Sequence, residues 1–208
     1  MPAAPQEVGL GLMAIIVAVS YLLGSIPFGL LAVRLLRGLD LRQIGSGKTG
    51  ATNAARALGT GGFIMVALAD TAKGVLAILL VRTLGGDPIF DVGAALAAVS
   101  GHIWPLFAGF RGGRGVATAF GAVLVMSWPA ALLCLLVFSA VLYVSRYASL
   151  GSIAAATVTA SALLVLVWLQ YHPTAYAAYA TAGLALLLLQ HRDNIRRLLA
   201  GTERKFGR

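Results

Sequence analysis

The chain has 208 residues, 59% of them apolar and only 11% charged, with a mean hydropathy of +0.88. Soluble globular domains carry about a quarter charged residues, so this composition excludes an ordinary soluble enzyme and points to membrane-length apolar runs. The net charge of +9 suits anionic headgroups or phosphates, although basic residues also collect in the cytoplasmic loops of any membrane protein.

Seven apolar segments are expected, at about 8–33, 62–84, 92–107, 116–127, 130–144, 150–169 and 175–190. The expected fold is therefore all-α and polytopic, with seven transmembrane helices in a single domain over 1–208. No Lys or Arg precedes the first segment, which reads as a retained span rather than a cleaved signal.

Between the first two spans lies Gly45-Ser46-Gly47-Lys48-Thr49-Gly50-Ala51-Thr52-Asn53-Ala54-Ala55-Arg56. Glycines let backbone N–H groups converge, and cations supply charge, so the loop reads as an anion site. It is not a nucleotide P-loop. That motif needs glycine five residues before its Gly-Lys-Thr, and Arg42 stands there.

The second span carries Asp70 and Lys73 on one helical face. Ionised groups at such depth face protein or water-filled space, so the two form a structural pair or Lys73 reaches toward a phosphate. His102 lies late in the third span and reads equally as a packing or a chemical residue. Next comes Arg111-Gly112-Gly113-Arg114-Gly115, running into the start of the fourth segment. Free N–H groups at a helix start, with Arg114 beside them, suit a phosphate. The fourth segment, about 12 residues long, is short for a ~30 Å core, and Pro129 marks a tight connection to the fifth. Cys134 has no intrachain partner. His172 reads as an outer interfacial bystander. His191 ends the seventh span, with Asn194 on the same face, and a neutral imidazole there can orient or deprotonate an alcohol.

Alternate crossing with the N-terminus outside puts fourteen of the sixteen Lys and Arg on the inner side. Only Arg82 falls outside, and Lys73 lies within a span. That asymmetry gives N-out, C-in, with every basic glycine loop facing the cytoplasm. The inner face holds only Asp40, Asp193 and Glu203 as carboxylates, too few for the paired ligands of a Mg²⁺ phosphotransferase. No His is followed five positions on by Asp, and no His/Cys cluster suggests zinc. Neither metal nor cofactor is expected. Acyl transfer, transport of an anion or phospholipid, and a nucleotide-dependent membrane kinase are the classes weighed. A transporter needs polar groups on both faces, and the outer side reads as nearly bare.

Several motifs, in order, resemble the bacterial membrane family of acyl-phosphate:glycerol-3-phosphate acyltransferases: Gly24-Ser25-Ile26-Pro27-Phe28-Gly29, Asp40-Leu41-Arg42, the Gly45 loop, Asp70-x-x-Lys73-Gly74, the 101–107 segment, the 111–118 loop, and His191-Arg192-x-Asn194-Ile195-x-Arg197-Leu198. The resemblance implies a single integral membrane acyltransferase domain in the bacterial inner membrane, with its site on the cytoplasmic side. It implies acyl transfer from acyl phosphate to the 1-hydroxyl of sn-glycerol 3-phosphate, giving lysophosphatidic acid and phosphate for phospholipid synthesis. The partners would be the two substrates, the bilayer and an upstream enzyme forming acyl phosphate, with no nucleic acid. His191, Asn194 and Ser46 take the catalytic positions. Arg56 and Arg114 match the family's substrate positions, with Thr52 and Asn53 in the same motif, while Gly45, Gly47, Lys48, Lys73, Gly112, Gly113 and Gly115 are substrate and phosphate candidates from the reading of the loops and the second span. The family usually has Asn at Lys48 and Lys at Arg114, so charge is kept while reach and geometry change.

Overall fold

The computed structural model describes residues 9–207, all helix, turn and loop. The helices are α1 Leu10–Gly24, α2 Phe28–Arg37, α3 Ala51–Thr83, α4 Pro88–Ile103, α5 Val116–Met126, α6 Trp128–Ser145, α7 Ala148–Trp168, α8 Ala175–Gln190 and α9 Arg192–Leu199. Single 3₁₀ turns sit at Leu41–Gln43 and Leu106–Ala108.

The first expected span is interrupted, and Val8 lies outside the described residues. Pro27 has no N–H to give, and it pushes Ile26 out of the helical region. The chain therefore breaks between α1 and α2 and resumes as a short helix ending in Arg34 and Arg37. The second expected span begins earlier than its apolar run. α3 starts at Ala51, inside the glycine loop, and kinks at Gly59, whose φ of 69° and ψ of −163° are not helical. Residues 51–58 thus form a separate site-bearing turn ahead of the span.

Five stretches are long and apolar enough to cross a membrane: Leu10–Arg37, Ala51–Thr83, Pro88–Ala108, Trp128–Ser145 and Ala148–Trp168. Val116–Met126 and Ala175–Gln190 are apolar but shorter. α5 has 11 residues, or roughly 16 Å. Its N-terminus opens on a cavity lined by Gly115, Val116 and Ala117.

Lipid is as apolar as leucine, so helices in a membrane associate through close packing of small residues. α3 and α5 make the most extensive contact. Gly74 lies against the backbone of Thr118 and Ala122, and Gly121 against that of Thr71. A side chain at either would push the two helices apart. Apolar residues outside these seams, such as Leu132 and Leu136 on α6, face outward.

At the end of the bundle opposite the glycine loops, Tyr176 donates to Asp91 Oδ2 at 2.7 Å. Arg82 stands 3.3 Å from the same oxygen. His172 Nε2 lies 2.8 Å from the Ser127 hydroxyl at the α5–α6 corner. That end is tied by a polar cluster rather than nearly bare, and His172 is part of it.

Candidate functional site

Asn53, in the first turn of α3, organises the first glycine loop. Its Nδ2 donates to the carbonyls of Leu41, Ile44 and Lys48 at 3.1, 2.9 and 2.9 Å. Its Oδ1 accepts from the Ser46 N–H at 3.1 Å and from Arg56 Nη1 at 3.0 Å. The amide is fully engaged by protein, so Asn53 shapes the loop while Ser46 and Arg56 present to the cavity. Gly45 turns at φ 54°, and any Cβ there would run into Asn53 Oδ1 and the Arg56 side chain. The glycine is a requirement of that packing.

The second loop docks on the first. The Thr49 N–H donates to the Gly112 carbonyl at 3.4 Å. Arg114 follows, just before α5, and its Nε is buried with no partner among the described residues. Burial pulls the Arg114 guanidinium down to about 10, still charged at neutral pH. Burial also lowers the Lys48 ammonium, and the nearby Arg114 lowers it further. Cations crowded this way favour the arrival of an anion.

The third element is the α8–α9 junction. His191 Nδ1 faces the Leu187 carbonyl at 2.9 Å. A carbonyl only accepts, so Nδ1 carries the proton and Nε2 keeps its lone pair. His191 is 1% exposed, and burial pushes its imidazole down to about 4. Asn194 Nδ2 donates to Glu203 Oε1 at 2.7 Å, leaving Asn194 Oδ1 buried with no partner among the described residues. Glu203 also accepts from Ser149 Oγ at 2.9 Å and Arg197 Nε at 2.7 Å. Burial alone would raise the Glu203 carboxyl, but these donors hold it below its ordinary value.

All three elements open on one cavity of about 510 Å³. Its polar end is walled by Gly45, Ser46, Lys48, Thr52, Asn53, Arg56, Arg114, Gly115, His191 and Asn194. Its apolar body runs between α3, α5, α6, α7 and α8, past Leu68, Phe120, Phe138, Leu163, Tyr179 and Leu184. Four expected site residues are off the wall: Gly47, Lys73, Gly112 and Gly113. For Lys73 this is a correction. Its ammonium sits 2.7 Å from Asp70 Oδ1, with both side chains 2% exposed, and over the Phe28 ring. A buried ammonium stays with its counter-ion, so of the two alternatives the structure shows the pair, with Lys73 set back from the cavity wall.

The wall also holds Asp70, His102, Ser149, Arg197, Glu203 and Arg204, none singled out for the site from the sequence. Three of them left a signal there: Asp70 as an ionised group within a span, His102 as a residue that read equally as packing or chemical, and Glu203 as one of the few inner carboxylates.

The depressed His191 sets a pH window. The unfolded imidazole binds its proton at about 6.5 and the buried one at about 4. The unfolded chain therefore binds more protons between those values, and acid destabilises the fold. Roughly 3 kcal/mol of stability is present above pH 6.5 and lost as pH falls toward 4. Thermal melts in detergent should show this fall in the wild type and a smaller one in His191→Gln. Equal slopes would mean that His191 is not desolvated.

A family model described as glycerol-3-phosphate acyltransferase matches residues 14–201. A glycerol-3-phosphate acyltransferase of Synechococcus sp. (strain CC9902) is 47% identical over 193 residues, covering 93% of this chain and 94% of the relative. Glycerol-3-phosphate acyltransferase 2 of Moorella thermoacetica is 47% identical over 196 residues, with 94% and 97% covered. The crystal structure of PlsY (YgiH), an integral membrane glycerol 3-phosphate acyltransferase, is similar in its glycerol 3-phosphate form. Its TM-score is 0.87 at 41% identity, covering 95% of this chain and 96% of that one. The lysophosphatidic acid form gives 0.84.

Proposed function

The chain belongs to the glycerol-3-phosphate acyltransferase family, and on that premise we propose that it moves a fatty acyl group from acyl phosphate to the 1-hydroxyl of sn-glycerol 3-phosphate. It is a multi-pass integral membrane acyltransferase of phospholipid synthesis. The products are lysophosphatidic acid and inorganic phosphate. One observation carries the reading: a single cavity joins a cationic end, with Arg114 Nε and Asn194 Oδ1 unpartnered, to an apolar body between helices. His191, just past the end of α8, lies twelve positions beyond Tyr179 on that wall, about 18 Å along the helix. That is close to the ~15 Å hydrocarbon depth of one leaflet, the room an acyl tail needs.

Acyl phosphate is already activated, so no enzyme nucleophile is required. The protein must hold two anionic substrates together and screen their repulsion, the work of Lys48, Arg56 and Arg114. His191 Nε2 accepts from the 1-hydroxyl and aims its oxygen at the acyl carbon. Asn194, held by Glu203, offers its Oδ1 beside it. The hydroxyl oxygen bonds to that carbon as the bond from carbon to the bridging phosphate oxygen breaks. The phosphate leaves with a new, strongly basic oxygen, far more basic than a neutral imidazole, so it takes up the hydroxyl proton and is released as hydrogen phosphate.

The positive-inside count supports seven crossings with the N-terminus out and this cavity facing the cytoplasm of a bacterial inner membrane. Glycerol phosphate then arrives from the cytoplasm and acyl phosphate, made by an upstream enzyme, from the bilayer. A transporter would need a polar path to the far end, but Arg82, Asp91 and Tyr176 lie off the cavity wall.

Purified protein given acyl phosphate and glycerol 3-phosphate in a chelator should release phosphate in step with lysophosphatidic acid. A requirement for ATP or Mg²⁺ would sink the reading.

A further inference from the structure

Three polar side chains are buried beside the cavity and unused by the chemistry above: Asp70, Lys73 and His102. Such groups are costly inside a membrane bundle and stay where they hold something in place. Lys73 pairs with Asp70 at 2.7 Å, and the same carboxylate oxygen faces His102 Nδ1 at 3.4 Å without a hydrogen bond between them. The other side of the ring meets the second glycine loop, where a Cβ on Gly113 would fall on His102 Nε2. The Gly113 N–H donates to the His102 carbonyl at 3.1 Å, and the Gly112 N–H to that of Ile103 at 3.2 Å. The next residue is Arg114.

We propose that His102, packed beside Asp70, is a positioning residue for Arg114: its imidazole is the surface on which the 112–113 backbone rests, and so it sets where the guanidinium meets a substrate phosphate. Gly113 is glycine because the ring occupies the space of its side chain, not because of its backbone angles. Widening or filling that contact moves Arg114 without touching it. This rests on Arg114 holding a phosphate, as proposed above.

The test is a cycle of His102→Asn, Gly113→Ala and the double variant, with Arg114→Ala beside them. Asn keeps a polar group toward Asp70 but removes the half of the ring against Gly113. Each single variant should raise KM for one phosphate substrate about tenfold with kcat within about threefold, the sign of lost substrate binding. In the double variant the alanine methyl enters the vacated space, so KM should be no worse than in either single, rather than about a hundredfold up as independent effects predict. Calorimetric titration with glycerol 3-phosphate reads the same contact without an acyl donor.

Wild-type KM for both substrates in the single variants would overturn the positioning role, and so would effects that simply multiply. If His102→Asn does not fold, Gly113→Ala decides alone, and wild-type KM in that protein overturns the proposal. Unchanged KM for both substrates in Arg114→Ala would instead show that the phosphate role of Arg114 has failed, taking the positioning role with it.

Discussion

Turnover of the His191→Ala protein is expected to fall by about 100-fold or more, with KM little changed. The reason is geometric. His191 ends α8 with Nδ1 tied to the Leu187 carbonyl at 2.9 Å, so Nε2 is fixed as an acceptor on the cavity wall. Alanine leaves the hydroxyl unaimed, and misplacement of about 1 Å can cost about 100-fold. The effect should lie in kcat because aiming matters most as the new bond forms. The imidazole is neutral throughout physiological pH, so kcat of the wild type should show no ionisation of this group near 6.5. A near-wild-type rate for His191→Ala would leave His191 a structural cap between α8 and α9.

Arg114→Ala is expected to lower kcat/KM by about 100- to 1000-fold, the range for losing a preorganised donor in a site shielded from water. Its guanidinium remains charged, and its Nε has no protein partner. The ground state of the empty protein therefore gives up little when the side chain goes, and the loss falls on the substrate complex. Arg114→Lys should recover much of the rate, because the resembling family usually has Lys there. A lysine cannot make the paired contact that a guanidinium makes with phosphate oxygens. Detergent-purified Arg114→Ala should melt near the wild-type temperature. Unchanged kinetics would reduce the second loop to a turn.

The bundle's composition was readable because membrane spans depend on length and apolarity, which are local properties. The seven expected segments match eight structural helices closely in α5 to α8. They depart at α1–α2, where Pro27 breaks an apolar run that hydropathy alone treats as continuous. The candidate site residues that line the cavity were readable for a different reason. Gly, Ser, Thr and Asn crowded among cations in a membrane loop have few uses other than holding an anion, and the i, i+3 spacing of His191 and Asn194 put them on one face, although the chain turns at His191 from α8 into α9. Asn53 showed the limit of that logic. It belongs to the motif, yet its amide is fully engaged in bonds to five other residues.

The sequence by itself determined that this is a basic, helical membrane protein of the acyltransferase family, with its cations biased to one side and its glycine loops beside them. The membrane character and charge rest on composition, periodicity and short-range spacing, and the family on a series of ordered motifs that resemble it. Only the tertiary structure decided which partners meet. An i, i+3 spacing shows that Asp70 and Lys73 share a face, but not that His102 of another helix approaches that face and braces Gly113. Nor does spacing show that Glu203, nine residues past Asn194, turns back to orient it while also bonding Ser149 of α7. Contacts between distant segments depend on how whole helices pack, and no local pattern encodes them.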